Sequence, residues 1–390
     1  MPSDYPASVQ IAEVLREKIS RGDYRAGAWM PTERDLAAEL AVSRPVVREA
    51  LAQLADLGLV ERKPGCRPRV RPLPGVSGAH APGRNGARTA RRAIAAVIPQ
   101  HPSYVSAHAI LRGITSVLAQ QPDPHDLTIC DTHPSTASAP ASAGPAIERE
   151  VLERLEREEI SGIILWHLCG RETQPILNRL VEARTPIVFV DRYPAPLCCD
   201  YIGVDNEGGV AACVGHLAQL GHSRIAFVKN TEDVTSVHER EAGYRAGLIE
   251  HGLEFDPSLV YATPEELGTD LAGAADYLAS LRPQPTAAVV MNDLHAFELM
   301  RELQARGIRI PEDMSVVGFD DIESYSPHPA MLTTVHQPFY QMGRRAARLL
   351  QQRIEQGASA ERLPRQHILL PARLVVRSTS GPAAPSSSPA

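Results

Sequence analysis

Apolar residues follow two different spacings along the chain from residue 93 onward. Short runs rich in valine and isoleucine predict buried strands, and the longer stretches between them, with apolar residues every three or four positions, predict amphipathic helices. The runs occur at 93–98, 127–130, 162–166, 186–190, 201–204, 225–228, 287–291 and 315–319. Strands that alternate with helices are typical of parallel sheets covered by helices on both faces. The sequence therefore predicts an α/β body built from two lobes.

The first 72 residues follow helical spacing and then a hairpin pattern. Apolar residues recur every four positions over 11–19, which predicts one helix. Thr32 precedes a second predicted helix and has Asp35 three residues later, an approximate capping box. Ser43 precedes a third predicted helix, whose inward-facing residues are Val47, Leu51 and Leu54. Two short strands follow, the second at 69–71, so the pattern predicts a winged helix-turn-helix domain.

Charge is distributed unevenly along the chain. Residues 1–92 contain 16 Lys and Arg against 10 Asp and Glu, whereas the remaining residues contain 24 against 36. From Arg62 to Arg92 there are nine basic residues and no acidic residue. A basic amino-terminal region on an acidic body favours a polyanionic partner at the amino end, although a solvated basic arm would give the same charge count.

Segments poor in large apolar residues divide the chain. Residues 73–92 are rich in proline, glycine and arginine and predict a flexible linker, while the low-complexity segment 380–390 predicts a disordered tail. The predicted domains are therefore a winged helix-turn-helix DNA-binding domain at 1–72 and a two-lobed ligand-binding domain at 93–379. Within the second domain, we predict one lobe at about 93–204 and 336–355 and the other at about 205–335 and 356–379.

The third predicted helix is suited to recognising DNA. Arg44 and Arg48 are four residues apart and share the face opposite the apolar one. The major groove, about 12 Å wide, admits such a helix, and arginine can bind guanine or phosphate through two nitrogens. The predicted DNA contacts are Arg34 on the preceding helix, Ser43, Arg44 and Arg48 on this helix, and Gly65 and Arg67 in the wing. Each arginine, taken alone, could instead be a solvated charge or an internal ion-pair partner.

Polar residues follow the predicted strands of the body where the strands end. Ligands of parallel sheets bind outside the carboxyl ends of the strands, so this fold places a ligand in the cleft between the lobes. Carboxylates, guanidinium groups and amides together match hydroxyls, which both donate and accept, and a ring can cover one face of a sugar. The predicted ligand contacts are Asp191, Arg192, Arg240, Asn292, Asp320 and Gln337, with the rings of Trp166 and Tyr104. Capping, local ion pairing or burial in the core are the alternative roles.

The amino-terminal motifs resemble the GntR-type winged helix over about residues 8–71. The similarity in order and spacing rests on Leu36-Ala, Val42-Ser-Arg, Val47-Arg-Glu-Ala-Leu, Leu54, Leu57-Gly-Leu-Val-Glu-Arg and Gly65. The chain departs from this family at Pro45 and Val46, where hydroxyl residues that contact DNA are common, and at Cys66-Arg-Pro in the wing. The resemblance implies binding to double-stranded DNA.

The body resembles a different family, the LacI/GalR effector-binding core, which is related to periplasmic sugar-binding proteins. The motifs that carry the similarity lie at 216–228, 240–245, 292–293, 307–321, 332–338, 342–343 and 374–379. The six polar residues predicted above resemble the sugar contacts of this family, and the Asp191-Arg192 pair is similar to that of ribose-type binders. The resemblance implies a small polar effector held between the lobes.

Together these patterns predict a DNA-binding transcriptional regulator, a repressor controlled by a small effector, with a sugar as the first candidate. A nucleobase or nucleoside effector remains an alternative, as does a cytoplasmic sugar-sensing module that acts on a protein partner. We expect a cytoplasmic protein without cofactor or metal, because the sequence shows no signal peptide, membrane span or Cys-x-x-Cys pair. We also expect a homodimer, whose two winged helices would contact a two-fold operator. Catalysis is not expected, since no nucleophile or phosphate-binding motif occurs and Lys229 is the single lysine of the body.

Overall fold

The computed structural model divides the chain into two compact units, Met1–Ala87 and Arg88–Ala390. The predicted linker at 73–92 lies outside the described residues. The structure describes residues 11, 14–15, 18–19, 24, 27–40, 42–56, 60–61, 67–70, 93–100, 105–120, 125–133, 143–158, 160–195, 199–231, 233–264, 270–322, 330–357 and 364–383.

The amino-terminal unit is a small helical domain with a two-stranded wing, as predicted. Its elements include α1 (Glu33–Glu39), α2 (Arg44–Asp56) and the antiparallel strands β1 (Val60–Glu61) and β2 (Arg69–Val70). The capping box at the start of α1 is confirmed, because the Asp35 amide donates to the Thr32 hydroxyl at 3.2 Å and the Thr32 amide donates to the Asp35 carboxylate at 3.4 Å. The core joins helices and wing through Leu15, Met30, Leu36, Val47, Leu51, Leu54, Val60 and Val70.

The carboxy-terminal unit contains two parallel sheets, which confirms the predicted α/β fold. The strands of the first sheet are β3 (Ala93–Val97), β4 (Asp126–Cys130), β5 (Gly162–Leu165), β6 (Ile187–Val190), β7 (Asp200–Val204) and β13 (His367–Leu370). They lie in the order β13-β7-β6-β5-β3-β4. Alternate residues of the inner strands β3, β5, β6 and β7 face opposite layers, so both faces of the sheet are buried along these strands. The covering helices are α3 (Val105–Leu118) and α10 (Phe339–Gln356) on one face, and α4 (Ala143–Arg157) and α5 (Gln174–Glu182) on the other.

The second sheet has the strand order β11-β10-β8-β9, formed by β8 (Ile225–Asn230), β9 (Val260–Thr263), β10 (Ala287–Val290) and β11 (Ser315–Val317). Its four strands are parallel. Two helices pack on each face, namely α6 (Asn206–Gln219) and α7 (Thr235–Glu250) on one, and α8 (Ala272–Ser280) and α9 (Asp293–Ala305) on the other. A short antiparallel pair, β12 (Thr334–His336) with β14 (Arg373–Val375), lies beside β11. Each sheet with its helices forms one lobe.

The carboxyl end of the chain corrects one predicted boundary. We predicted 356–379 in the second lobe, but β13 pairs in parallel with β7 at the edge of the first sheet, with Ile368 opposite Ile202. Thr379, by contrast, accepts a hydrogen bond from the Val316 amide of β11 at 2.8 Å. The prediction was wrong because an edge strand that exposes alternate residues has a weak apolar pattern, and its pairing joins segments that are distant in sequence.

A buried ion pair connects three segments of the first lobe. The Arg353 guanidinium on α10 donates to the Asp200 carboxylate of β7 at 2.9 and 2.8 Å, and the two side chains are 1% and 0% exposed. Arg365 and the Gln366 amide also donate to Asp200, at 3.3 and 2.9 Å. The pair therefore connects α10, β7 and the chain that enters β13.

Candidate functional site: a helix face and an interlobe cluster

Helix α2 is the helix that the sequence predicts to enter the major groove. Ser43 and Arg44 are exposed at its amino end. The Arg48 side chain is 58% exposed, but its Nε and Nη2 atoms both donate to Glu33 at 3.1 Å. The three residues of α2 that were predicted to face inward are fully buried: Val47, Leu51 and Leu54. The helix therefore presents a hydroxyl and Arg44 to solvent, while Arg48 is held partly in an internal ion pair.

The other predicted DNA contacts lie at the surface or outside the described residues. Arg34 is 83% exposed on α1, and Arg67 is exposed just before β2. Gly65 is outside the described residues. Arg69 has a structural role instead, because its Nε donates to the Gly27 carbonyl at 2.8 Å and its guanidinium lies 5.5 Å from the centre of the Trp29 ring. The DNA-contacting role of the exposed residues stays a prediction.

In the first lobe, Asp191 and Arg192 come directly after β6. Asp191 is 7% exposed and has a φ of 67°, a left-handed conformation that few residues other than glycine adopt. Its amide donates to the Ile202 carbonyl of β7 at 3.0 Å, and Arg192 Nε donates to its carboxylate at 3.4 Å. This turn holds the pair at the carboxyl edge of the first sheet.

In the second lobe, Arg240 of α7 is 5% exposed and held from several sides. Its Nε donates to Asn206 Oδ1 at 2.9 Å, and its Nη1 donates to the Met291 carbonyl at 2.6 Å. Its guanidinium carbon lies 3.9 Å from the centre of the Phe319 ring, a cation–π contact. Nη2 lies 3.7 Å from Asp320 Oδ1, within ion-pair distance. The guanidinium is therefore fixed in place.

Asp320 follows β11 and completes the cluster with Gln337. Gln337 Nε2 donates to Asp320 Oδ1 at 2.7 Å. Burial raises the pKa of Asp320 to about 7, against the opposing effect of Arg240, and the Asp191 carboxylate adds to the rise. Asp191 belongs to the first lobe, so its interaction with Asp320 connects the two lobes. The structure thus brings together five of the predicted ligand contacts: Asp191, Arg192, Arg240, Asp320 and Gln337.

The remaining predicted contacts have other positions. Asn292 caps α9, since its Oδ1 accepts from the His295 amide at 2.8 Å, so this acceptor is already occupied. Trp166 is 7% exposed and lies in the hydrophobic core of the carboxy-terminal unit. Tyr104 lies outside the described residues.

Sequence reasoning missed a second group of residues around Arg240. Asn206, buried at the start of α6, donates from Nδ2 to Glu239 at 2.8 Å, and burial raises the pKa of Glu239. Tyr193 of the first lobe donates its amide to the Thr235 hydroxyl of the second lobe at 3.2 Å. The sequence does not reveal these contacts, because contacts between distant segments leave no periodic signal.

Asp320→Asn is expected to make stability less dependent on pH. The pKa of Asp320 is about 7 in the folded chain, against an ordinary value of 3.8, so the folded state binds more protons than the unfolded state in this range. The native protein therefore loses stability as pH rises from about 4 to about 7. Asparagine still accepts from Gln337 but does not titrate. The melting temperature should fall between pH 5 and pH 8 by several degrees less in the variant than in the native chain, as measured by thermal unfolding.

Asp313→Asn is the matched control for this prediction. Arg309 lowers the pKa of the exposed Asp313 carboxyl to about 2, so this substitution leaves the pH 5 to pH 8 difference unchanged. An equal decline in the native chain and in Asp320→Asn would contradict the assigned titration.

The described cluster offers both hydrogen-bond donors and acceptors. Within the described ranges, no group of three His, Cys, Asp or Glu residues is placed to hold a metal ion. None of the described helices combines the length and apolar character needed to cross a membrane. The paired carboxylates and guanidinium groups can instead bind a ligand that donates and accepts through adjacent hydroxyls.

Family models match both units. Residues 7–70 match the model of bacterial regulatory proteins of the gntR family, and residues 214–380 match that of the periplasmic binding protein-like domain. Both resemblances inferred from the sequence motifs are confirmed.

Individual relatives extend the match over most of the chain. The arabinose metabolism transcriptional repressor of Geobacillus stearothermophilus is 28% identical over 358 residues, which are 90% of this chain and 92% of the relative. The HTH-type transcriptional repressor PurR of Vibrio vulnificus is 31% identical over 233 residues, 60% of this chain and 68% of the relative. A solved complex of the transcriptional regulator CelR with cellobiose is 25% identical with a TM-score of 0.61, covering 90% of this chain and 100% of that one.

Proposed function

Because this chain belongs to the bacterial transcriptional repressors, with a gntR-type DNA-binding domain joined to a periplasmic-binding-protein-like domain, we propose that it is a sugar-responsive repressor. In the cytoplasm, helix α2 would bind an operator in the major groove. A sugar bound between the lobes of the second domain would lower the affinity for that operator.

The observation that carries this proposal is the polar cluster contributed by both lobes. Asp191 and Arg192 come from the first lobe, whereas Arg240 and Asp320 come from the second, and Gln337 lies beside Asp320. Adjacent sugar hydroxyls would donate to the carboxylates and accept from the guanidinium and amide groups. Such a ligand binds best when both lobes contact it at once, so it favours one arrangement of the lobes.

The names of two relatives support a carbohydrate ligand. One relative is named for arabinose metabolism and a solved structure holds cellobiose. Control of DNA binding would require a homodimer whose two winged helices reach the two halves of an operator. The sugar would act through its different affinities for two arrangements of that dimer, which is the general condition for allosteric coupling.

Arg44→Ala is expected to weaken operator binding by about 10–100-fold, because an exposed guanidinium at the start of α2 would lose its base or phosphate contact. Arg48→Ala should cost less, since Arg48 already pairs with Glu33. Binding is measured by fluorescence anisotropy with an operator selected from a random duplex library by the full chain. Unchanged affinity and unchanged salt dependence in Arg44→Ala would show that another surface binds DNA.

The ligand assignment is tested by thermal unfolding of the full chain with L-arabinose, D-ribose, D-glucose, cellobiose and adenosine. A ligand at 100 times its Kd adds about 2.7 kcal/mol to the free energy of unfolding. Stabilisation by at least one sugar supports the proposal. Stabilisation by adenosine alone would favour the nucleoside alternative, and a flat response would overturn the sugar assignment.

A further inference from the structure

We propose that the interlobe cluster selects neutral, hydroxyl-bearing ligands and rejects their phosphorylated counterparts. This inference rests on the proposed function, because it concerns the charge of the same effector. It narrows the proposed effector from sugars in general to sugars without a phosphate group.

The cluster contains more carboxylates than guanidinium groups. Among its described residues, Arg192 and Arg240 lie with three carboxylates, Asp191, Glu239 and Asp320. Glu239 is linked to Arg240 through Asn206, which accepts from Arg240 Nε at 2.9 Å and donates to Glu239 at 2.8 Å. Above the pKa of Asp320, about 7, a ligand with negative charge would therefore meet an excess of carboxylates.

The guanidinium groups of the cluster already have hydrogen-bond acceptors. Arg240 donates to Asn206 and to the Met291 carbonyl, and its remaining Nη2 faces Asp320 at 3.7 Å. Arg192 donates to Asp191 at 3.4 Å. A phosphate would have to displace a carboxylate from one of these guanidinium groups and leave that carboxylate buried without its partner.

The direction of the hydrogen bonds also favours a neutral ligand. A phosphoryl group at neutral pH carries about −1.5 to −2 charges and mainly accepts hydrogen bonds. Asp191 and Asp320, when ionised, also only accept, so they offer a phosphate no donor. A hydroxyl can donate to either carboxylate and accept from Arg240 or from Gln337 in the same position.

The test compares matched pairs by isothermal titration of the full chain at pH 8, where Asp320, with its pKa of about 7, is mostly ionised. The pairs are D-ribose with D-ribose 5-phosphate, D-glucose with D-glucose 6-phosphate, and cellobiose with its 6′-phosphate. In every pair that binds, the neutral member should bind at least tenfold more tightly. Equal or tighter binding by the phosphorylated member would overturn the inference but leave the proposed small-molecule effector in place.

Two variants separate charge selection from a merely structural effect. Asp320→Asn should reduce the neutral-to-phosphorylated affinity ratio several-fold, and Glu239→Gln provides the same comparison if Asp320→Asn no longer binds either member. The control Glu312→Gln removes an exposed carboxylate at the amino end of β11 and should leave the ratio unchanged. Unchanged ratios in both cluster variants would overturn the inference. Absence of binding by every compound would overturn the proposed function itself, and the inference with it.

Discussion

Asp200→Ala should lower the free energy of unfolding of the carboxy-terminal unit by about 3–5 kcal/mol, because it leaves the Arg353 guanidinium buried without its carboxylate. Arg353 is 1% exposed and donates two hydrogen bonds to Asp200, and two further donors converge on the same carboxylate. The substitution therefore removes the connection between α10, β7 and the chain that enters β13.

Urea unfolding followed by tryptophan fluorescence measures this loss. The chain has two tryptophans, so a Trp29→Phe background leaves Trp166, in the core of the carboxy-terminal unit, as the reporter. Arg365→Ala is the matched control, because Arg365 is 32% exposed and an exposed ion pair contributes about 0–1 kcal/mol. A loss below about 1 kcal/mol in Asp200→Ala would show that the buried pair does not stabilise the lobe.

Arg240→Ala should abolish stabilisation by the effector sugar, and this is the largest expected effect on function. Its guanidinium lies opposite Asp320. It is held there by Asn206, the Met291 carbonyl and the Phe319 ring. Without it, a sugar at 100 times its native Kd should no longer add the expected increment of about 2.7 kcal/mol.

The control for this prediction is Arg245→Ala on the same helix. The Arg245 side chain is 47% exposed, pairs with Glu241 at 2.8 Å and lies over the Phe255 ring, away from the cluster. Its loss should leave the sugar response intact. A full sugar response in Arg240→Ala would place the ligand outside the interlobe cluster.

The fold was predictable where strands are buried on both faces. Runs such as Ile187–Val190 are apolar at every position because helices cover both sides of the sheet. The edge strand His367–Leu370 was placed in the wrong lobe, since its alternating exposure carries little apolar signal. Parallel pairing over more than 160 residues of chain cannot be deduced from local spacing.

Only the residues of the candidate site that follow predicted strands could be identified from the sequence. Asp191, Arg240 and Asp320 were expected near the cleft and lie within electrostatic range of one another. The partners that fix Arg240, Asn206 among them, come from other elements and follow no sequence period. The Arg48–Glu33 ion pair was foreseen only as a general alternative for any exposed arginine.

The central claim is that a ligand in the interlobe cluster controls DNA binding by the winged helix. The direct measurement is the Kd of the full chain for its selected operator, by fluorescence anisotropy, with and without the sugar that stabilises it. The sugar should weaken operator binding at least fivefold in the native chain and leave the operator Kd of Arg240→Ala unchanged. An operator Kd that stays constant in the native chain at saturating sugar would contradict it.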